Sequence, residues 1–309
     1  MKKKLSTRII LIVFRSIPLS VRRALFKGIA LLVYHISLKH RVITLNNLIR
    51  SFPEKNISEI KKIAKGSFQN LGIMAAEFFE VFGFTRDNIT DWVDFEGRDV
   101  YERALARGKG LLFYSAHFGN WELGAAAFAL GYQPLYAIYR LLDNPILEDL
   151  LLMERSITGN KLLSKGGVVR KIIKILKENK VVGIMMDQNM SWREGVFVDF
   201  FGRPACTTRR FAEIALLTGS PVLPVFIFRQ DDGRYKIVVK EAEIIRTGDY
   251  DRDVLLNTQR FTTIVEEVVR EHPEQWFWLH QRWKTKKCQV RKRSATGLSR
   301  LPRHKVTKQ

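Results

Sequence analysis

The sequence predicts an α/β protein with a mixed sheet flanked by helices. Two observations predict it. From residue 110 onward, short aromatic and β-branched runs with the length of buried strands recur along the chain. Between them lie longer stretches with helical apolar spacing, and such alternation builds a largely parallel or mixed sheet with helices on both faces. A third observation bounds the size. With 309 residues and 46% hydrophobic content, the chain can bury one sizeable core, and nothing demands a second α/β unit.

The chain divides into residues 1–50, 51–283 and 284–309. The first part opens on Lys2, Lys3 and Lys4, followed by the apolar stretch Ile9 to Phe14. It mimics a secretion signal, yet no small-residue cleavage site follows, and Arg15, Arg22, Arg23 and Lys27 interrupt the pattern. Pro18 predicts a helix restart. Gly28 to Leu38 would span only ~16 Å as a helix, against roughly 30 Å of bilayer hydrocarbon. The expectation is therefore an amphipathic helical segment lying in a membrane interface.

Helices are expected over 20–50 and 56–82, the latter opening after Asn56 and ending near Gly83. Strands are expected at 110–116, 133–139, 181–186, 196–201, 221–228 and 235–241. Helices fill 120–130, 145–158, 167–178, 208–218 and 253–271. From Lys284 to Gln309 there are ten Lys/Arg residues and no acid, a composition that predicts a disordered tail attracted to anionic surfaces.

A net charge of +21 implies an anionic partner: a membrane surface, a phosphorylated substrate, an acidic carrier protein or nucleic acid. Nucleic acid is not expected, because no binding module and no aromatic–basic interleaving is present. Cys206 and Cys288 offer neither a disulfide framework nor metal-ligand spacing, and no metal is expected.

The most informative segment is His117-Phe118-Gly119-Asn120-Trp121-Glu122. His117 falls where the strand Gly110 to Ala116 ends, and Glu122 falls in the first turn of the alanine-rich helix that follows. On one continuous helix, five residues would turn the two side chains ~140° apart. The intervening turn lets both face a cleft at the carboxyl end of the strand, where open α/β sheets bind ligands. An imidazole there can take a proton from a hydroxyl, and a carboxylate on its far nitrogen would fix the tautomer. No Gly-x-Ser-x-Gly nucleophile elbow exists in the chain. From the pair alone, a turn-capping histidine and a helix-start carboxylate explain these residues equally well.

Further segments single out one family. Asn46 to Glu54 (NNLIRSFPE), His117 to Glu122, Tyr139 to Pro145 (YRLLDNP), Met186-Asp187-Gln188, Val196 to Pro204 (VFVDFFGRP) and Pro273 to Trp283 (PEQWFWLHQRW) follow one another in order. With them the chain resembles the bacterial lipid A late acyltransferases, a branch of the lysophospholipid acyltransferase superfamily marked by His-x4-Asp/Glu. The resemblance covers about residues 8 to 285. It implies a glycerol-phosphate acyltransferase-like α/β core, with His117 as general base assisted by Glu122.

It further implies acyl transfer to a hydroxyl of a phosphorylated lipid A precursor, at the cytoplasmic face of a bacterial inner membrane. The implied donor is an acyl carrier protein thioester, with acyl-CoA in some relatives, and no other cofactor. Acylation of a lysophospholipid or another glycolipid is the alternative.

Among substrate groups, Arg140 at a strand end suits bidentate grip of phosphate, and Arg155 is expected beside it. Asp187 and Gln188 are expected at the cleft, orienting a sugar hydroxyl or the imidazole. Gly202 and Arg203 are expected to let backbone and guanidinium approach the ligand. Arg209 opens a helix as an anion site. Trp276, Trp278 and Trp283 read as packing or interfacial residues.

Overall fold

Residues 2–139, 142, 144–163 and 167–287 are described by the structure, a computed structural model. Among the described residues nine strands occur: β1 (Val93–Glu96), β2 (Leu111–Ser115), β3 (Leu135–Ile138), β4 (Lys161–Leu163), β5 (Val181–Met185), β6 (Gly195–Phe200), β7 (Arg203–Thr208), β8 (Val222–Arg229) and β9 (Tyr235–Val239). Seven form one sheet in the order β1-β9-β8-β2-β5-β3-β4. β8, β2, β5, β3 and β4 run parallel, so their carboxyl ends share one edge. β9 returns antiparallel to β8, with β1 parallel to β9. The sheet is thus mixed and dominated by parallel pairs.

Ten α-helices accompany the strands among the described residues: α1 (Lys2–Ser16), α2 (Leu19–Ile36), α3 (Leu38–Ser51), α4 (Ile57–Glu77), α5 (Arg98–Leu105), α6 (Trp121–Gly131), α7 (Pro145–Ile157), α8 (Val168–Lys177), α9 (Arg210–Thr218) and α10 (Tyr250–Glu271). Alternation along β2 shows why both sheet faces need cover. Leu112 and Tyr114 join one core with α4, α8, α9 and α10, whereas Leu111 and Phe113 join the other with α5 and α6.

The elements missed by sequence are short or polar. β1 and β4 have four and three residues, and α5 buries only Tyr101 and Ala104. β7 carries Pro204, tolerated because it sits beside the turn of an isolated two-stranded ribbon with β6. The helix expected over 20–50 is two, broken at Ser37.

Asn56 caps α4 with a full capping box, its side chain accepting from Ser58 and Glu59 while Glu59 reaches back. α2 lies against α4 so closely that a Cβ on Gly72 would stand 2.4 Å from the Phe26 carbonyl oxygen. Arg22 and Arg23, expected to flank a membrane segment, instead face inward onto Glu80 and Glu77. The opposite face exposes Val21, Leu25, Ile29, Leu32 and Ile36. No helix among the described residues is long and apolar enough to cross a membrane.

Candidate active site

His117 stands two residues beyond β2, and the chain there turns sharply into α6. Gly119 makes the turn possible. Its φ is +60°, and a Cβ would lie 2.0 Å from the Ile227 carbonyl oxygen. The segment after α10 closes over the turn: Phe118 and Trp276 form an antiparallel bridge, Gly119 N–H donates to Gln275 O (2.9 Å), and Phe277 N–H donates to His117 O (3.0 Å). Asn120 then caps α6, its Oδ1 accepting from Leu123 N–H.

The carboxylate on His117 is Asp187, not Glu122. β5 lies beside β2 in parallel register, which brings Asp187, just past its end, level with the turn. His117 Nδ1 lies 2.8 Å from Asp187 Oδ1. Oδ2 accepts from the His117 backbone N–H (2.9 Å) and from Trp276 Nε1–H (2.8 Å). An ionised carboxylate only accepts, so Nδ1 carries a proton, and in the neutral ring Nε2 holds the lone pair. Nε2 faces the exposed Gln188 amide at 3.2 Å. Burial alone would raise the Asp187 pKa, but the His117 charge and these three donors outweigh it and hold it at about 2. Burial likewise pulls His117 down; the charge and hydrogen bond of Asp187, with a further push from Glu122, carry it above the ordinary imidazole value.

Glu122 is held elsewhere. Arg155 of α7 grips it in a two-pronged pair, Nε to Oε2 at 2.9 Å and Nη2 to Oε1 at 2.6 Å. Trp121 Nε1–H donates to Oε1 (3.2 Å), and its ring meets His117 edge-on, centroids 5.2 Å apart. Beside Arg155, sequence reasoning missed Glu154, which is 1% exposed with its Oε2 unpartnered. Burial, then the nearby Glu122 charge, push the Glu154 carboxyl well above the usual carboxylate range.

Below this cluster an apolar cavity of about 110 Å³ runs between the sheet and α6. Phe113, Gly183, Gly124, Phe128, Leu162 and Ile237 line it, and Glu122, Arg155 and Trp121 line it as well. In its neutral form, an imidazole beside an apolar slot is suited to deprotonating a hydroxyl next to a hydrocarbon chain.

The sequence profile of the bacterial lipid A biosynthesis acyltransferases matches residues 6–285. The chain belongs to that family. As a member of it, the protein is an acyltransferase. It is 28% identical over 272 residues to the lipid A biosynthesis lauroyltransferase of Escherichia coli strain K12, covering 87% of each chain. It is 28% identical over 243 residues to the palmitoleoyltransferase of the same organism, covering 78% of this chain and 77% of that one. A phosphatidylinositol mannoside acyltransferase of Mycobacterium tuberculosis strain H37Rv is 27% identical over 206 residues, 64% of this chain and 63% of its own.

Within this acyltransferase, not every expected residue joins the His117 cluster. Arg155, Asp187 and Gln188 do, and Arg140 lies outside the described residues. Gly202 is an exposed hairpin residue: Phe201 and Gly202 both have positive φ, as a two-residue β-turn of the primed type requires, and nothing stands within 4 Å of its Cβ position. Arg203 lies over the Trp283 ring at 4.0 Å, with a buried Nη1 that meets no acceptor. Arg209 is spent on Glu213 (2.6 Å) and Asp251 (3.2 Å) rather than poised for an external anion.

The tryptophan motif, read as packing, supplies a hydrogen bond to the central carboxylate through Trp276. In the same motif His280 Nε2 accepts from Asn189 N–H (2.7 Å), and burial pushes its pKa down to about 4, which keeps it neutral. Among the described residues no three His, Cys, Asp or Glu side chains gather as metal ligands.

Proposed function

We propose that this acyltransferase moves a fatty acyl chain from an acyl carrier protein thioester to a hydroxyl of a phosphorylated lipid A precursor, with His117 as general base. The observation that carries this reading is the Asp187–His117 pair at the carboxyl edge of the sheet, beside the apolar cavity. The free Nε2 takes the proton of the acceptor hydroxyl as its oxygen bonds to the thioester carbonyl carbon. The C–S bond then breaks, its electron pair leaves on sulfur, and the imidazolium returns the proton to the thiolate. Asp187 stabilises the imidazolium between these steps. Glu122 assists through the field of its charge rather than by touching the ring.

The cavity receives the acyl chain, each buried methylene contributing about 0.8 kcal/mol. Arg140 and Arg203 are the groups assigned to acceptor phosphate. The charge of +21 suits both an acidic carrier protein and an anionic leaflet, and the apolar faces of α1 and α2 seat on the cytoplasmic side of the inner membrane. Acyl-CoA is the alternative donor.

A different glycolipid acceptor is the second reading, supported by the similarity to the mannoside acyltransferase. Mass spectrometry of lipids from cells with and without the gene separates the two. Loss of one acyl chain from lipid A is expected. Unchanged lipid A together with a chain missing from another glycolipid would select the second reading instead.

A further inference from the structure

One buried carboxylate outside the reacting cluster joins four parts of the fold. Glu77, the last residue of α4, is 0% exposed. Its Oε2 accepts from Asn120 Nδ2 (2.9 Å) and from the Tyr235 hydroxyl at the start of β9. Its Oε1 accepts from Arg23 Nε of α2 (2.8 Å) and pairs with the same guanidinium's Nη2 at 2.6 Å, and Arg229 at the end of β8 stands 3.9 Å away. Asn120 is the N-cap of α6, three residues after His117 and two before Glu122.

Asn120 therefore faces two ways. Its Oδ1 fixes the first turn of α6, and its amide is anchored on Glu77. Two helical turns earlier on α4, Asn70 donates to Gly119 O (3.1 Å), so α4 holds the turn at consecutive residues. The same Glu77 is keyed to α2, whose outer face is the exposed apolar surface.

We propose that Glu77 is a positioning residue: through Asn120 it sets the His117–Glu122 turn, and through Arg23 it makes that setting depend on how α2 is seated. The proposal rests on the reading of His117 as the general base. Its chemistry follows from geometry, since a shift of about 1 Å in a reacting group can cost on the order of 10²-fold in rate without altering substrate affinity.

The test uses the full chain with lauroyl-acyl carrier protein and lipid extracted from cells lacking the gene. Glu77→Gln keeps an acceptor for Asn120 but loses the charge that holds Arg23; Asn120→Ala cuts the link from the other side. Each is expected to lower kcat about 10-fold per folded molecule with KM for both substrates within about 2-fold. The double variant should lose little more than the worse single one, because both act along one chain of contacts. Arg23→Ala should lower kcat about 3-fold, and the low-field Nδ1–H resonance of His117 should persist in all of them.

Wild-type kcat per folded molecule in Glu77→Gln overturns the proposal, as do losses that multiply in the double variant. An unaffected Arg23→Ala overturns the link to α2. Should Glu77→Gln not fold, Glu77→Asp keeps the charge but withdraws the carboxylate from Asn120. It should show the same fall in kcat at constant KM, and wild-type kcat there overturns the role. A wild-type rate in His117→Ala would instead overturn the reading of the base, whatever the Glu77 variants do.

Discussion

Two regions rich in charge behave in opposite ways. At the ends of β2 and β5, charges are met by counter-charges and hydrogen bonds: Asp187 takes three donors, and Glu122 takes Arg155 and Trp121. At the tip of the β6–β7 ribbon, Arg203 lies on Trp283 with an unpartnered Nη1, and burial together with the nearby Arg50 pushes its pKa down. The first region has its internal charge settled before any ligand arrives, which is what chemistry on an uncharged ester needs. The second leaves positive charge unsatisfied, which is what a site for an incoming anion needs.

Substitutions can break this contrast. The largest effect is expected from His117→Ala: about 10³-fold loss of turnover with the fold retained, measured by steady-state transfer and circular dichroism. Near-wild-type transfer would remove the first region from the reaction.

Asp187→Asn should cost about 10²-fold and should also move the pH profile. On the proposed mechanism activity needs the neutral imidazole, and Asp187 is what lifts the His117 pKa above its usual value. Without that charge the acid limb of kcat/KM must move to lower pH. A limb that stays in place would show that another group titrates.

Arg155→Ala strips the counter-charge from Glu122 next to the buried Glu154. About 3 kcal/mol of stability should be lost, as for breaking other buried pairs. Glu122→Gln in the same chain should restore much of it, because the leftover charge is then gone. Thermal melts of the single and double variants check this, and a double variant no more stable than Arg155→Ala would contradict the pairing. Glu122→Gln alone should lower turnover about 10-fold, less than either His117 or Asp187.

The smallest effect on chemistry belongs to the second region. Arg203→Ala should leave kcat within about 2-fold and raise the acceptor KM several-fold, with donor KM unchanged. Equal changes for donor and acceptor would deprive the ribbon tip of a role in acceptor binding.

Much of this was legible in the chain. β2, β5 and α6 announce themselves by continuous apolar runs because both sheet faces are covered, and His117 could be placed at a strand end from its neighbours alone. The partner of His117 was legible only in part: the sequence places Asp187 at the cleft, orienting either a sugar hydroxyl or the imidazole, and does not choose between the two. Asp187 lies 70 residues away, and only the adjacency of β2 and β5 puts it level with the ring. Glu122 was the closer carboxylate in sequence and took the role on that ground, although its own counter-charge, Arg155, sits on a helix that short-range patterns do not place.

A usable signal did exist for two of the missed acids. Glu154 follows buried Leu150 by four residues, and Glu77 follows buried Ile73 by four, so each interrupts the apolar stripe of its helix. A charge on such a stripe is kept only if the interior has a use for it.

The bridge between Phe118 and Trp276 has a consequence for how the protein comes into being. The turn that bears His117 emerges early in synthesis, but the strand segment that closes over it and the indole that steadies Asp187 arrive some 160 residues later. Most of the core can condense while the chain is still being made, yet the reacting group stays unfinished until residues 275–283 have emerged. Chains that stop before Trp276 should consequently be silent, so an interrupted round of translation releases no premature acyl transfer.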